Sequence, residues 1–371
     1  LQRKYLERMG VEVTIFSSKS TKAEPGDKTV ILPSRKISPD GEYAATFNVK
    51  KAYQVARREF QRKHFDIIHL QGDFATAAIA LNLSKEFSIP LIHHAHTNID
   101  VVLERILGKR LNARIFDFAS RLYTTNTGME RAHVENGWEY MALTYPNADL
   151  VVVPSNHFAQ TIKGKGIATK VEVMPNGVDD DAVANIRRQA SVPGKPIRFI
   201  WAGRFLREKR LLQTIRAFKK AGLDAELHIY GTGPLEKPAR SLVRTLRISD
   251  KVSFFGRVER DQMMQAFADS DVVLQTSIGF ETQGMTVFEA AAFGTPALCC
   301  DNRVASELKP GHYWVSADES IESLAQAMTQ AHKDISSGNA KRDSSDPGWL
   351  LQSRLTAKMV GIYTGLIQAR R

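Results

Sequence analysis

Two glutamates flank a glycine in the second half of the chain. Glu281 and Glu289 are separated by seven residues, and Gly284, Met285 and Thr286 lie between them. The segment follows an apolar run and leads into an alanine-rich stretch. The first N–H groups of a helix favour an anion, and carboxylates accept hydrogen bonds from hydroxyls. The pattern predicts a site for a phosphorylated sugar, with the amides of residues 284–286 facing phosphate; the alternative is a capped core helix with two incidental acids.

A group of cations follows the apolar run 197–202. Gly203 and Arg204 come first, and Lys209 lies five residues after Arg204. Arginine binds phosphate as a planar fork, and lysine binds it as a point charge. Both cations are therefore candidates for binding an anionic ligand. On charge alone, a solvated basic loop would be the favoured interpretation. Because Glu281 and Glu289 lie in the same half of the chain, we favour a ligand-binding loop instead.

Secondary structure must bring these loops together. Short apolar runs alternate with amphipathic stretches, which predicts parallel sheets covered by helices on both faces, and 371 residues favour two domains. Parallel sheets bind ligands beyond the carboxyl ends of their strands. The predicted strands are 11–16, 28–32, 66–70, 90–94, 149–153, 171–174, 197–202, 225–230, 252–255, 271–275 and 296–300. The predicted helices are 48–63, 74–86, 101–123, 156–164, 210–221, 235–247, 260–268, 285–293, 320–333 and 350–369.

The turn signal Asn176-Gly177 and the proline-containing stretch before residue 197 predict a domain boundary. We expect a first domain over 1–175, a linker over 176–196 and a second domain over 197–349. A polar stretch then separates a terminal helical segment, 350–371.

Composition indicates an ordinary globular protein with a basic surface. The chain has a net charge of +11, 43% hydrophobic and 25% charged residues. No apolar run reaches the roughly 18–20 residues of a membrane span. Cys299 and Cys300 are adjacent, which disfavours a bridge between them and suits a reducing cytoplasm. Anionic partners are expected, but no aromatic-interleaved basic strand supports nucleic acid.

Histidines cluster at the end of a predicted strand in the first half. No acid or cysteine flanks His93, His94 and His96 at a familiar ligand spacing, so we predict no metal site. Alternation places His94 and His96 on one face of the strand and His93 on the other. His69 is most simply a core or rim histidine, and Asp73 is most simply a helix N-cap.

A glycine pair after the predicted strand 225–230 invites comparison with dinucleotide-binding proteins. Their fingerprint needs a third glycine at position 236, where this chain has Glu236. The interpretation as a nucleotide-dependent oxidoreductase is therefore weakened. Gly231 and Gly233 are interpreted as a chain turn.

Taken together, Glu281-x7-Glu289 and the Gly203-Arg204…Glu208-Lys209 segment resemble the donor site of retaining glycosyltransferases of the GT-B fold, family 4 (group 1) in particular. The resemblance implies an α/β fold with two doubly wound, Rossmann-like parallel-sheet domains facing a cleft. It also implies that Glu281 holds the transferred sugar and that Glu289 holds the ribose hydroxyls. Arg204 and Lys209 would bind the diphosphate.

The same resemblance assigns further roles. The backbone of Gly256, Arg257 and Val258 would meet the nucleobase, which leaves uridine and guanosine equally open. His96, with Thr97, would hydrogen-bond the sugar or the leaving phosphate. The terminal helix would cross back onto the first domain. The glycine-rich loop that relatives carry after their first strand is absent from this sequence, and Leu1 reads as the end of a helix, so we expect a preceding strand.

The acceptor is indicated by two basic amphipathic segments, 48–64 and 103–123, which suit either a lipid interface or a core helix with a wet basic face. A finer resemblance favours lipid: the stretch 281–286, together with His96-Thr97, is similar to bacterial diacylglycerol glucosyltransferases.

The sequence thus predicts a retaining, metal-independent hexosyltransferase without a cofactor. Its partners would be a nucleotide sugar such as UDP-glucose, another UDP-hexose or GDP-mannose, and an acceptor hydroxyl, with a glycolipid precursor favoured. We expect it in the cytoplasm, at the inner face of a membrane. The alternatives are a GT-B sugar-nucleotide epimerase and a non-catalytic basic membrane-surface protein.

Overall fold

The computed structural model describes residues 1–18, 28–36, 44–101, 104, 109–189, 195–340 and 342–370. It divides into two compact units. Unit 1 comprises Leu1–Pro175 and Thr356–Arg371, and unit 2 comprises Asn176–Leu355. The predicted linker 176–196 and the predicted helix 101–123 lie partly outside the described residues.

Unit 1 is built from short strands, which are parallel except for the antiparallel pair β3 and β4, and from helices. Its strands are β1 (Ile15–Ser18), β2 (Thr29–Leu32), β3 (Arg35–Lys36), β4 (Ala44–Ala45), β5 (Ile68–Leu70), β6 (Leu91–His94), β7 (Leu150–Val153) and β8 (Val171–Val173). Its helices are α1 (Gln2–Arg8), α2 (Val49–Arg62), α3 (Ala75–Phe87), α4 (Lys109–Thr127), α5 (Gly137–Thr144) and α6 (Asn156–Gly164).

Strands β5, β6, β7 and β8 form a parallel sheet in chain order, and β1 pairs with β2 in a separate parallel pair. All four residues of β6 are buried, as expected for a strand covered on both faces. The alanine-rich helix α3 packs against both α2 and α4. Because their side chains are short, the alanines of α3 let these helices approach closely, and the core of the unit forms around them.

Unit 2 carries the predicted donor-binding segments. Its strands are β9 (Ile197–Ala202), β10 (Ala225–Tyr230), β11 (Val252–Gly256), β12 (Val272–Gln275), β13 (Ala297–Cys299) and β14 (Tyr313–Val315). Its helices are α7 (Asp180–Asn185), α8 (Leu211–Ala221), α9 (Glu236–Thr245), α10 (Arg260–Asp269), α11 (Met285–Ala291), α12 (Asn302–Ala305) and α13 (Ile321–Ser336). The last helix, α14 (Gln352–Arg370), begins in unit 2 and continues into unit 1.

The six strands of unit 2 are all parallel and lie in the order β11-β10-β9-β12-β13-β14. Chain order reverses direction between β9 and β12, so this sheet is doubly wound with its switch point between those two strands. One apolar core lies on each face of the sheet. The predicted fold class is therefore confirmed.

Several short elements were not predicted from the sequence: Arg35–Lys36, Ala44–Ala45, Gly137–Thr144, Asp180–Asn185, Asn302–Ala305 and Tyr313–Val315. The strands among them have two or three residues and two of the helices have four and six, which is too short for a hydrophobic period to be detected. The helix Asp180–Asn185 lies inside the predicted linker. Strand β1 begins at Ile15, four residues later than predicted.

Candidate functional site

The loops that follow β9 and β12 meet at the switch point of the unit 2 sheet. In open parallel sheets this crevice, beyond the carboxyl ends of the strands, is where ligands bind. The loop after β9 carries Arg204 and Lys209, and the loop after β12 carries Glu281. The sheet therefore brings together two segments that are more than seventy residues apart in the chain.

Lys209 and Glu281 are in direct contact across this crevice. The Lys209 Nζ lies 2.5 Å from the Glu281 Oε1 and 5.1 Å from the centre of the Phe280 ring. The two side chains are 23% and 14% exposed. A half-buried cation beside a carboxylate offers one group for phosphate and one for hydroxyls, so the pair can bind the two ends of a sugar phosphate. Arg204, which precedes them in the chain, is exposed.

Thr276, at the end of β12, supports the position of Lys209. Its hydroxyl donates to the Lys209 carbonyl at 2.7 Å and accepts from the Trp201 Nε1 at 3.0 Å. Both Thr276 and Trp201 are buried. The Thr276 hydroxyl therefore ties the end of β12 to the loop that carries the cation.

Gly284 is the N-cap of α11 and requires glycine for two reasons. Its φ is +85°, and a Cβ atom there would lie 2.8 Å from the Val304 Cγ1. The Thr286 hydroxyl donates to the Gln275 Oε1 at 3.3 Å, which fixes the first turn of α11 on the end of β12. Met285 is half-buried. The start of α11 is thus held against the sheet, with its first amides at the edge where the predicted site lies.

Glu289 lies one turn inside α11 and is half-buried. Burial raises the pKa of its carboxyl to about 6, and Arg260 at the start of α10 opposes that rise. No described residue donates a hydrogen bond to this carboxylate. The half-buried Glu289 carboxylate therefore needs hydrogen-bond donors, and the hydroxyls of a ligand can supply them.

Gln283 is a site-forming residue that the sequence did not reveal. Its side chain is 2% exposed and accepts from the Asn176 backbone N–H at 2.9 Å and from its Nδ2 at 2.8 Å. The Gln283 amide also donates to the Asn176 carbonyl at 3.1 Å. These three bonds fix the loop between Glu281 and Gly284 on the turn that opens unit 2. The turn signal at Asn176 was readable, but its partner was not.

The glycine-containing turns after β9, β10 and β11 interlock. The Gly231 N–H donates to the Gly256 carbonyl at 2.7 Å, and the Gly203 N–H donates to the Tyr230 carbonyl at 3.1 Å. A Cβ atom on Gly231 would lie 1.9 Å from the Gly203 oxygen. Close packing of the two turns therefore explains Gly231. The predicted contact of residues 256–258 with a nucleobase stays a prediction, with the Gly256 carbonyl already accepting one bond.

His96 belongs to unit 1, where the histidines divide between the two faces of the strand end as predicted. The rings of His94 and His96 stack with centres 4.0 Å apart, whereas the His93 Nε2 lies 3.1 Å from the Asp73 Oδ1. The interpretation of Asp73 as an N-cap is wrong. Helix α3 is capped by Phe74, and the Asp73 carboxylate instead contacts His93.

The described part of the chain contains no group of three His, Cys, Asp or Glu residues able to hold a metal ion. Cys299 and Cys300 are buried free thiols. No helix among the described residues is long and apolar enough to cross a membrane.

The two basic segments of unit 1 have different surfaces. Helix α2 buries one face and exposes four cations on the other: Lys50, Lys51, Arg58 and Arg62. Arg57 of the same helix instead forms an ion pair with Glu86, in which the Arg57 Nε lies 2.6 Å from the Glu86 Oε1. Phe47, just before α2, is 48% exposed, and Leu111 and Phe118 on α4 are 46% and 54% exposed. Unit 1 therefore carries both exposed cations and exposed large apolar side chains.

The fold and the charged switch point define a doubly wound α/β protein of the GT-B type. Two family models match adjacent parts of the chain: the Glycosyltransferase Family 4 model matches residues 2–182, and the Glycosyl transferases group 1 model matches residues 183–343. The chain belongs to the group 1 glycosyltransferases of family 4.

Individual relatives are distant. The chain is 23% identical over 305 residues to the sulfoquinovosyl transferase SQD2 of Arabidopsis thaliana, covering 80% of this chain and 54% of that protein. It is 21% identical over 272 residues to the alpha-monoglucosyldiacylglycerol synthase of Streptococcus pneumoniae, covering 70% and 56%. The matches thus span little more than half the length of these two relatives. Among solved structures, a sucrose-phosphate synthase from Thermosynechococcus elongatus superposes with a TM-score of 0.72 at 16% identity, covering 99% of this chain and 92% of that one.

Proposed function

We propose that this protein is a retaining hexosyltransferase that moves a hexose from a nucleotide diphosphate sugar to an acceptor hydroxyl. The observation that carries the proposal is the contact of Lys209 with Glu281 at the switch point of the unit 2 sheet, 2.5 Å apart. Family membership supports glycosyl transfer, and the lysine–glutamate pair supplies the groups that a sugar diphosphate needs.

In this mechanism the bond between the anomeric carbon and the diphosphate oxygen breaks while the acceptor oxygen bonds to the same carbon from the same face. The acceptor proton passes to the departing phosphate oxygen. Negative charge grows on the leaving diphosphate, and Arg204, Lys209 and the first amides of α11 stabilise it. Glu281 orients the hexose, Glu289 accepts from the ribose hydroxyls, and His96 hydrogen-bonds the sugar or the leaving phosphate. Arg204 and Lys209 take the place of a metal ion.

The pairing of Lys209 with Glu281 has a consequence for binding. Phosphate must draw Lys209 away from the carboxylate, and the sugar hydroxyls must then supply donors to Glu281. The complete sugar diphosphate supplies both a phosphate for Lys209 and hydroxyls for Glu281, whereas either half alone supplies only one of these groups. We therefore expect a nucleotide sugar to bind more tightly than the nucleoside diphosphate.

The acceptor we propose is a hydroxyl of a membrane lipid. The relative from Streptococcus pneumoniae is named for a glucosyldiacylglycerol product. In unit 1, the cations on the exposed face of α2 suit an anionic membrane surface, on which each nearby cation adds about 1 kcal/mol. The exposed Phe47 and Phe118 side chains, at 48% and 54%, can enter the headgroup region.

The first test is a thermal-shift panel of UDP-glucose, UDP-galactose and GDP-mannose. A ligand specific for the folded state raises the melting temperature with concentration. The substitution Lys209→Met is expected to weaken binding of the active sugar nucleotide about 30-fold or more. This factor corresponds to ~2 kcal/mol, the lower figure for truncating one partner of a buried charge pair. Lys220→Met is the matched control, because Lys220 also pairs with a glutamate, at 2.6 Å, but on the helix surface.

Release of nucleoside diphosphate in the presence of diacylglycerol vesicles completes the test. Release that requires the acceptor supports transfer, whereas isomerised nucleotide sugar without acceptor supports the epimerase alternative. If Lys209→Met leaves nucleotide-sugar affinity unchanged while salt abolishes vesicle binding, the protein is a non-catalytic membrane-surface protein.

A further inference from the structure

Two hydrogen-bonded histidine networks lie on opposite faces of strand β6. On one face, the His93 Nε2 contacts the Asp73 Oδ1 at 3.1 Å, and the Tyr145 hydroxyl donates to the same oxygen at 3.4 Å. A carboxylate accepts from both, so this network is closed within the protein. It serves as the reference for the network on the other face.

The second network is a linear chain of three side chains. The Tyr363 hydroxyl, from helix α14, lies 2.5 Å from the His69 Nδ1, and the His69 Nε2 lies 3.1 Å from the His94 Nδ1. His94 is 4% exposed. Its Nε2 is buried and has no hydrogen-bond partner among the described residues. This hydrogen-bonded network therefore ends at the His94 Nε2, which has no partner among the described residues.

The direction of the hydrogen bonds fixes what that nitrogen is. Burial lowers the pKa of His69 to about 3 and that of His94 well below its usual value, so each ring is neutral and carries one N–H. Burial also raises the pKa of Tyr363, so its hydroxyl keeps its hydrogen and needs an acceptor. Among the described residues, that acceptor is the His69 Nδ1. The His69 Nε2 then donates to the His94 Nδ1, which leaves the proton of His94 on Nε2.

We propose that the His94 Nε2–H is a hydrogen-bond donor to a hydroxyl or phosphate oxygen of a substrate, and that Tyr363 and His69 are positioning residues that hold the proton there. This inference rests on the proposed function. His94 is the last residue of β6, at the edge where parallel sheets receive ligands. A buried donor without an acceptor is costly, and such a group is either paired with water or serves a ligand.

The ring of His96 stacks on the ring of His94, with the ring centres 4.0 Å apart. The two rings stack at an angle of 26°, and His96 is only half-buried. Because the His94 Nε2 is buried, we expect neighbouring side chains such as His96 to move when a ligand oxygen reaches it. The two histidines would then contact the same ligand in sequence, with His96 at the surface and His94 beneath it.

The position of the protons is tested by ¹⁵N NMR of the histidine-labelled full chain. Protonated and unprotonated ring nitrogens give separate signals, so the tautomer of each ring is read directly. We expect the His94 Nε2 and the His69 Nε2 to be protonated, and Tyr363→Phe to convert both rings to mixed tautomers. Tyr145→Phe is the matched control, since it removes a buried hydroxyl of the closed network. An unprotonated His94 Nε2 in the wild type would overturn the proposal, whether or not the protein transfers sugar.

The ligand is tested with a pair of substitutions. His94→Gln keeps a donor near the Nε2 position, whereas His94→Asn places its amide near the Nδ1 position only. We expect His94→Asn to weaken the binding of one substrate about tenfold, which is the factor that a hydrogen bond of ordinary net strength supplies. His94→Gln should retain most of the wild-type affinity. Thermal unfolding of both variants reports separately on folding, and the wild-type Nε2 signal should shift when that substrate is added.

Binding of UDP and of UDP-glucose and the KM for diacylglycerol vesicles, each measured for His94→Asn, distinguish the source of the oxygen. Weaker binding of UDP alone identifies a phosphate oxygen, and weaker binding of UDP-glucose with unchanged UDP identifies a sugar hydroxyl. A higher KM for diacylglycerol vesicles alone identifies the acceptor. Unchanged constants for all three, with an Nε2 signal that no probe shifts, mean that the donor is paired with an internal water and sink the inference. A wild type that binds no nucleotide sugar sinks the proposed function instead, and leaves the tautomer result standing.

Discussion

Glu289 allows a test in which stability and binding change in opposite directions. The substitution Glu289→Gln keeps the size of the side chain and removes its charge. Burial raises the pKa of this carboxyl from 4.5 to about 6, so the folded protein resists its ionisation. At neutral pH the ionised Glu289 therefore destabilises the fold, and a neutral glutamine does not.

The magnitude follows from linkage. A rise of about 1.5 pKa units corresponds to about 2 kcal/mol, at ~1.36 kcal/mol per unit. Because the folded-state pKa lies above the unfolded one, this stability is fully present below pH 4.5 and is lost as the pH rises through about 6. Glu289→Gln should thus gain about 2 kcal/mol at pH 8 and nothing at pH 4. For a domain of this size that is an upper limit of about 4–8 °C in melting temperature.

The assay is thermal unfolding of wild type and variant at both pH values, followed by titration with UDP-glucose at pH 8. We expect the variant to melt higher at pH 8 and to bind more weakly, because glutamine accepts fewer hydrogen bonds from ribose hydroxyls than a carboxylate. Glu322→Gln is the control, since Glu322 pairs with Lys220 at the surface and its pKa is lowered. Equal melting temperatures at pH 8 would refute the burial argument, and unchanged affinity would remove Glu289 from the donor site.

Three further predictions concern other parts of the molecule. Gly284→Ala should cost about 1–3 kcal/mol and weaken nucleotide-sugar binding, because a Cβ would lie 2.8 Å from a Val304 methyl group; Gly222→Ala, with a positive φ but nothing within 4 Å, should lower stability only, as urea unfolding and titration will report. Arg342→Met should cost about 2–4 kcal/mol in urea unfolding, since its half-buried guanidinium donates to three backbone carbonyls at the ends of α10 and α11; a loss below 0.5 kcal/mol contradicts this. Phe118→Ser should reduce sedimentation with anionic vesicles at unchanged nucleotide-sugar affinity, because Phe118 is 54% exposed; equal sedimentation would exclude α4 from the membrane contact.

Much of the fold was readable because it depends on local patterns. Five of the six strands described for unit 2 are predicted to within a residue or two, since parallel strands covered on both faces are apolar runs between polar turns. The resemblance through Glu281 and Lys209 led to the family that both family models confirm. Tyr313–Val315 escaped because three residues at a sheet edge carry no detectable period.

The site depended on contacts that local patterns do not contain. Each residue of the Lys209–Glu281 pair carries a charge that the sequence shows, but their separation of 2.5 Å exists because the chain reverses direction between β9 and β12. Asp73 was interpreted as a helix cap because its neighbours in sequence suggested one, whereas packing turned it toward His93. The sequence alone determined which chemical groups are present and which strands and helices carry them. Only the tertiary structure decided that Gln283 closes on Asn176 and that Tyr363 reaches His69, because such partners, more than a hundred residues apart, are selected by the packing of whole helices and sheets.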